Sequence, residues 1–369
     1  MTVEISPDPT DPPTPLDVLV VGAGQAGLAV GYHLQRSGLR FQVVDAAPRI
    51  GESWRTRWDS LRLFTPAEYC SLPGMPFPAP AGTYAGKDDV ASYLQQYARD
   101  FALPVLLDTP VRHLTRAPDR LFVAITDQGV IRARQVIVAT GPFQTPAVPA
   151  AAEQLAPSVT QLHSAAYRRP GDLPPGRVVV VGAGNSGLQI ADELAAAGRT
   201  VTLAIGSRPR TVRQRPFGKD LFWWLTKTRL IERPADSRLA RRLQARELVV
   251  GTTWRGLRRR GVDLRPRLVS AIGRQVRFAD GTQQDVDVIV WATGFRSHYD
   301  WLAVPGAVVD GRPEHSRGTS PVDGLHFLGL PWQHTRGSAL LGFVQHDAAY
   351  LAEQLIARSR STALQHTPA

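Results

Sequence analysis

Leu16-Asp17-Val18-Leu19-Val20-Val21-Gly22-Ala23-Gly24-Gln25-Ala26-Gly27 is an apolar strand running into GxGxxG, and a helical pattern follows it. The arrangement recurs at Arg177-Val178-Val179-Val180-Val181-Gly182-Ala183-Gly184-Asn185-Ser186-Gly187. In each copy the first glycine permits a tight turn and the second lets the backbone approach a pyrophosphate. The third lets helix pack on strand, and the helix N-terminus faces the phosphates. One such match is weak evidence, but two, each with its own strand and helix, imply two bound dinucleotides. A flavin and a nicotinamide are the natural pair, which predicts an α/β fold of two Rossmann-like dinucleotide-binding domains.

The residues beyond each helix separate the ligands. The first unit passes through Phe41-Gln42-Val43-Val44 to Asp45 and Ala46. An acid about 20 residues past the glycines accepts hydrogen bonds from ribose hydroxyls and repels a 2′-phosphate, as FAD requires. The second unit passes through Val201-Thr202-Leu203-Ala204-Ile205 into Gly206-Ser207-Arg208-Pro209-Arg210, where no acid occurs. An arginine there can pair with a phosphate through its fork of donors, which reads as an NADPH site. The plainer reading of Arg208 and Arg210 is solvated surface charge in an arginine-rich chain.

Each unit runs on to the same ending. In the first, a hairpin around Asp127-Gln128-Gly129 leads to Val136-Ile137-Val138-Ala139-Thr140-Gly141; in the second, a hairpin around Asp280-Gly281 leads to a strand over 286–291 and Ala292-Thr293-Gly294. The intervals match, as an internal duplication would require. Before the first hairpin lie an irregular stretch, 48–86, and a helix over 87–101. A proline-rich linker, 142–149, joins the halves, and Leu325-His326-Phe327-Leu328-Gly329 reads as a strand returning to the first domain, capped by a helix over 338–358. The expected boundaries are a disordered leader over 1–15, an FAD domain over 16–145 and 295–369, and an NADPH domain over 146–294 inserted into it. A helical insertion over about 211–260 carries Phe222-Trp223-Trp224-Leu225. It reads as a lid or substrate wall, as a domain or oligomer contact, or as a basic membrane-surface segment.

A chain of 369 residues fits two domains. Its net charge of +11 is nearly all arginine, the only lysines being Lys87, Lys219 and Lys227. No zinc, helix-turn-helix or RNA-recognition signature accompanies that charge, so nucleic acid is not expected as a partner. Cys70 is the one cysteine, which excludes a redox-active cysteine pair. The leader lacks a basic n-region and an apolar h-region, and no apolar run approaches the roughly 20 residues that span a bilayer, so a cytoplasmic protein is expected. No HExxH or CxxC spacing suggests a metal site. Oligomeric state stays open, a homodimer being one option.

The paired GxGxxG units, the strand-terminal ATG motifs and Gly51-Glu52-Ser53-Trp54 resemble the flavin-containing monooxygenases. More narrowly, Trp58, Leu61-Arg62-Leu63, Leu72-Pro73, Pro76-Phe77-Pro78 and Tyr84 resemble the YUCCA-type indole-3-pyruvate monooxygenases and their bacterial relatives. Gly329-Leu330-Pro331-Trp332-Gln333-His334-Thr335-Arg336-Gly337-Ser338 is similar to the bacterial branch, whose members are often described as linked to cation transport.

The resemblance implies that NADPH reduces FAD, that the reduced flavin traps dioxygen as a C4a-(hydro)peroxide, and that one oxygen atom enters a small organic substrate. The protein holds the nicotinamide against the flavin and excludes water. Gly22, Gly24, Gln25, Ala26, Gly27, Asp45 and Ala46 would then hold the adenosine end of FAD, with Gly51, Trp54, Leu63, Thr140, Gly141 and Gly329 completing that site. Gly182, Gly184, Asn185, Ser186, Gly187, Ser207, Arg208, Thr293 and Gly294 would hold NADPH. Gly337-Ser338, as the start of the last helix, would aim backbone N–H groups at the reduced flavin. Arg62, Thr65, His334 and Arg336 are the candidate catalytic residues. The chain departs from the family in two places. Thr65-Pro66 stands where a Thr-Asn pair is usual, and Pro157 and Val159 stand where FxGxxxH has Phe and Gly ahead of His163. His163 reads as a reporter of NADPH binding or as a turn cap. The competing readings are an NADPH oxidase or diaphorase, and a non-catalytic redox-sensing flavoprotein.

Overall fold

The structure, a computed structural model, describes residues 14–244 and 248–365. The expected leader lies, apart from its last two residues, outside them.

The first sheet is built from β1 (Leu16–Val21), β2 (Phe41–Val44), β3 (Val105–Leu106), β4 (Val111–Arg116), β5 (Phe122–Thr126) and β6 (Gly129–Val138), in the order β3-β2-β1-β6-β5-β4. Parallel pairing joins the first four of that order, and β5 and β4 follow antiparallel. Asp127 and Gln128 make the turn between β5 and β6, with Thr126 opposite Gly129. Helix α1 (Gln25–Gln35) follows β1, and α2 (Glu52–Arg55) and α3 (Lys87–Asp100) lie between β2 and β3.

After β7 (Thr145–Pro146) comes the second sheet, with β8 (Thr160–His163), β9 (Val178–Val181), β10 (Val201–Ile205), β13 (Asp263–Pro266) and β17 (Val288–Trp291) in the order β13-β10-β9-β17-β8. Every pairing in it is parallel. Helix α4 (Asn185–Ala196) follows β9. The insertion comprises β11 (Arg210–Val212), α5 (Leu221–Lys227), α6 (Arg238–Gln244), β12 (Leu248–Val250) and α7 (Trp254–Arg259). An antiparallel sheet of β14 (Leu268–Ile272), β15 (Gln275–Phe278) and β16 (Gln283–Asp285) precedes β17. Next, β18 (Phe295–Arg296) pairs with β7, and β19 (Val308–Val309) pairs with β20 (Arg312–Pro313). Finally β21 (Leu325–Phe327) joins the first sheet beside Val136–Val138 of β6, and α8 (Val344–Gln365) closes the chain.

The sequence dictates this layering. Strands β9 and β17 are unbroken apolar runs because helices and the small sheet cover both their faces, as parallel sheets require. On one face of the first sheet, Leu28, Leu34, Leu94, Tyr97, Leu351 and Leu355 interlock α1, α3 and α8; Phe122, Tyr299 and Phe327 fill the other. Each such fully buried side chain contributes about 1.5–3 kcal/mol. The second sheet has its own core, into which Trp58 of the first domain inserts, 4% exposed, beside Leu188 and Leu257.

Two expectations need correction. The last helix begins at Val344, not near Ser338, because the Ser338 hydroxyl accepts from the amides of His334 and Thr335 (both 3.0 Å) and thus closes the preceding turn. The strand expected over 286–291 begins at Val288; the Val286 amide is held outside the ladder by the Arg274 carbonyl (2.8 Å).

Candidate functional site

The two glycine loops are built alike. A Cβ on Gly22 would lie 2.5 Å from the Ala139 carbonyl oxygen, and one on Gly182 would lie 2.2 Å from that of Ala292. The first glycine of each loop is thus pressed against the strand that ends in Ala-Thr-Gly. A Cβ on Gly27 or Gly187 would lie 1.8 Å or 1.9 Å from the loop's own first carbonyl, so the third position is closed too. The second position of the first loop differs: beside Gly24 no atom lies within 4 Å of where a Cβ would stand. Helices α1 and α4 start at Gly24 and Gly184 with no side-chain cap, presenting bare N–H groups. Gly141 and Gly294, at the ends of β6 and β17, border equally open space. The residues present therefore fit a diphosphate at each loop, at the carboxyl ends of parallel strands.

Around the first loop, the Asp45 carboxylate accepts from the Ala23 amide (2.5 Å) and the Ala47 amide (2.8 Å), bracing the loop from the end of β2. Lone pairs remain on it for hydroxyl donors. Gln25 spans the space beyond: its Nε2 donates to the Ala339 carbonyl (2.9 Å), and its Oε1 accepts from the Trp54 indole (3.3 Å). Gly329 crosses the first turn of α1 so closely that a Cβ there would lie 2.8 Å from the Ala26 Cβ. Gly51, in left-handed conformation, starts α2 against Ala91. Ala46 is exposed, Leu63 packs on the first core, and Thr140 accepts from the Gln144 amide (2.9 Å). Gly337 and Ser338 are buried in the turn before α8, so no helix dipole starts there.

At the second loop, the Asn185 side chain accepts from the Val250 amide (3.4 Å), tying α4 to the insertion. Ser186 is half-buried and Ser207 exposed, and Thr293 donates to the Ala147 carbonyl. Arg208 lies past the end of β10 with its guanidinium 5.3 Å from the centre of the Trp254 ring. Arg267 reaches the same corner, 3.9 Å from where a Gly206 Cβ would stand. Trp254 and Arg267 carried no signal in the sequence, because each comes from an element distant in the chain.

The insertion makes a domain contact. Asp220, the N-cap of α5, accepts from the Tyr84 hydroxyl (2.6 Å), and Gln214 donates to the Phe64 carbonyl (2.8 Å). Burial, and next the hydrogen bond to Asp220, raise the Tyr84 hydroxyl above the usual phenol range. Phe222 is fully buried among Phe64, Tyr69 and Phe343. Ala235 donates to the carbonyl of His334 (2.7 Å).

The candidate catalytic residues differ in their surroundings. Arg62 is exposed and donates to the Tyr84 carbonyl (3.1 Å), whereas Thr65 is buried. His334 is held below the usual imidazole range by burial and then by Arg317, and Arg336 lies over Trp332. His163 does cap a turn: its Nδ1 accepts from Ala165 (3.1 Å). Its Nε2 donates to the Gly294 carbonyl (2.9 Å), linking β8 to the end of β17. Cys70 is buried, and burial followed by Glu68 pushes its thiol up to about 12, which leaves no reactive thiolate.

Two sheets, each parallel where its glycine loop sits, with two matched loops, are the frame of a dinucleotide-dependent oxidoreductase. A family described as pyridine nucleotide-disulphide oxidoreductase matches residues 19–229. An uncharacterized oxidoreductase CzcO-like of Geobacillus kaustophilus is 44% identical, over 92% of this chain and 98% of that protein. The solved flavin-containing monooxygenase from Stenotrophomonas maltophilia is 31% identical with a TM-score of 0.78, over 93% of this chain and 99% of that one. The indole-3-pyruvate monooxygenase YUCCA8 of Oryza sativa subsp. indica is 28% identical, over 93% and 91%. The chain belongs to the pyridine nucleotide-disulphide oxidoreductase family, on its flavin-containing monooxygenase branch. With one cysteine it has no dithiol pair of its own. No helix among the described residues is long and apolar enough to cross a membrane.

Proposed function

We propose that the chain is an FAD-dependent, NADPH-using monooxygenase that places one atom of dioxygen in a small organic substrate, a 2-oxo acid, ketone or amine. In this reading residues 16–145 and 295–369 hold FAD, and residues 146–294, inserted between them, hold NADPH. The observation that carries it is the pair of matched glycine loops whose helices start uncapped at Gly24 and Gly184, one backed by Asp45 and the other by Arg208. FAD, when bound, supplies the centre that takes electrons from NADPH and activates dioxygen.

The chain's own residues do the rest. The bare N–H groups of α1 and α4 bind the two diphosphates, and Asp45 accepts from ribose hydroxyls while disfavouring a phosphate beside it. Arg208, held over the Trp254 ring, and Arg267 pair with a 2′-phosphate. Gln25, anchored to Trp54 and Ala339, fixes the wall facing the flavin. Phe64, Tyr69, Phe222 and Phe343 join the insertion to the first domain and keep water from the space between.

Anaerobic stopped-flow mixing of the purified holoprotein with NADPH or NADH, then with oxygenated buffer, tests this. Flavin bleaching, faster with NADPH, followed by a transient blue-shifted absorbance before the oxidised spectrum returns, is the expected result. Direct return without that transient favours an oxidase or diaphorase, and no reduction by either nucleotide favours a redox sensor.

A further inference from the structure

Arg57 belongs to the first domain, yet its guanidinium lies against both chain crossings between the domains. Its central carbon is 5.1 Å from the centre of the Phe143 ring and 5.3 Å from that of Phe295. Those rings meet edge to face at 5.3 Å, and His163 stacks edge-on against Phe295 at 5.0 Å. The Arg57 Nε donates to the Ser53 carbonyl (3.1 Å), and no ion pair joins it to a carboxylate among the described residues. The acids nearest in sequence are engaged elsewhere, Glu52 by Arg49 (2.5 Å) and Asp59 by Lys87 (3.9 Å). Burial, and then the field of a second cation, Arg168, act against the Arg57 charge. An unpaired, half-buried cation beside a like charge is costly unless an anion joins it.

The place identifies the anion. Phe295 follows Gly294, whose strand end is pressed against the second glycine loop through Ala292 and Gly182. Phe143 lies two residues past Gly141, at the matching edge of the first sheet. We infer that Arg57 is an interdomain positioning residue: it pairs with the diphosphate of the nicotinamide dinucleotide bound at Gly184, so that one domain grips the nucleotide held by the other. This rests on the assignment of the second loop to a nicotinamide dinucleotide.

The test is calorimetric titration of the FAD-loaded protein with NADP⁺ and with NAD⁺, comparing wild type, Arg57→Met and Arg57→Lys. Because the diphosphate is common to both nucleotides, Arg57→Met should raise both dissociation constants by the same factor, about tenfold or more, with Arg57→Lys intermediate. FAD content and melting temperature should stay at wild-type values. Unchanged constants in a folded Arg57→Met protein, or a rise for NADP⁺ alone, would overturn the inference, as would a wild type that binds neither nucleotide. A wild type that binds both but is reduced by neither defeats the monooxygenase reading, while the shared loss in Arg57→Met still upholds the clamp.

Discussion

The Tyr84 hydroxyl donates to the Asp220 carboxylate at 2.6 Å, joining the irregular segment of the first domain to the start of α5, 136 residues away. The same carboxylate accepts from the Phe222 amide (2.7 Å) and the Gln214 side chain (2.9 Å), so one acid caps a helix and fastens it across the domain boundary. Tyr84→Phe removes one of these three bonds and should cost about 1 kcal/mol of stability. Asp220→Ala removes the cap as well and should cost about twice that. Both should raise the hydrogen peroxide released per NADPH consumed; thermal melts with a peroxide assay decide, and an unchanged peroxide yield in both would mean that α5 does not guard the site.

Two glycines of the first loop should fail differently. Gly24→Ala meets open space and should fold while losing most of its FAD. Gly27→Ala would set a methyl 1.8 Å from the Gly22 carbonyl oxygen and should destabilise the domain itself by several kcal/mol. Flavin content per folded protein, from absorbance and circular dichroism, separates the two, and a Gly24→Ala protein with full FAD would contradict a diphosphate at that position.

On the proposed NADPH assignment, Arg208→Ala leaves Trp254 without its cation and a 2′-phosphate without its fork. The NADPH-over-NADH preference in kcat/KM should fall by about tenfold or more, the scale of one charge-assisted pair, with NADH values nearly unchanged. Equal losses for both nucleotides would show that Arg208 serves the fold and not the phosphate.

His326 lies on β21, 4% exposed, with neither ring nitrogen hydrogen-bonded, and burial drives its pKa down from 6.5 to about 4. The unfolded chain therefore binds a proton that the folded chain refuses between those two values. Stability from this group is complete above about pH 6.5 and is lost progressively as pH falls toward about 4, by about 3 kcal/mol in all. Urea unfolding at pH 7, 5.5 and 4.5 should show the decline, and His326→Leu should flatten it; an equally steep decline in His326→Leu would assign the acid sensitivity to other groups.

Much of the fold was legible because its signals are local. Val178–Val181 and Val288–Trp291 announce buried parallel strands by composition, and the third glycine of each loop, Gly27 or Gly187, has its steric reason in the loop's own first carbonyl five residues back. The start of α8 was not legible. Gly337-Ser338 has the chemistry of a helix start, and only the three-dimensional turn shows that the serine faces backward to His334 and Thr335. The same limit hid Trp254, Arg267 and Arg57. Each acts by arriving next to a residue far away in sequence, and nothing in its immediate neighbours records that arrival.

Strands β7 and β18 set Thr145 opposite Arg296 and Pro146 opposite Phe295. The polypeptide between them therefore leaves and re-enters through a single doorway, with its two ends side by side. Such a segment has the threading of a cassette, joined to the rest of the chain at Pro146 and Phe295 alone among its paired strand ends. On the proposed assignment of this segment to NADPH, a graft meant to change electron-donor preference asks for two splice points, with the seam residues Trp58 and Phe222 kept matched.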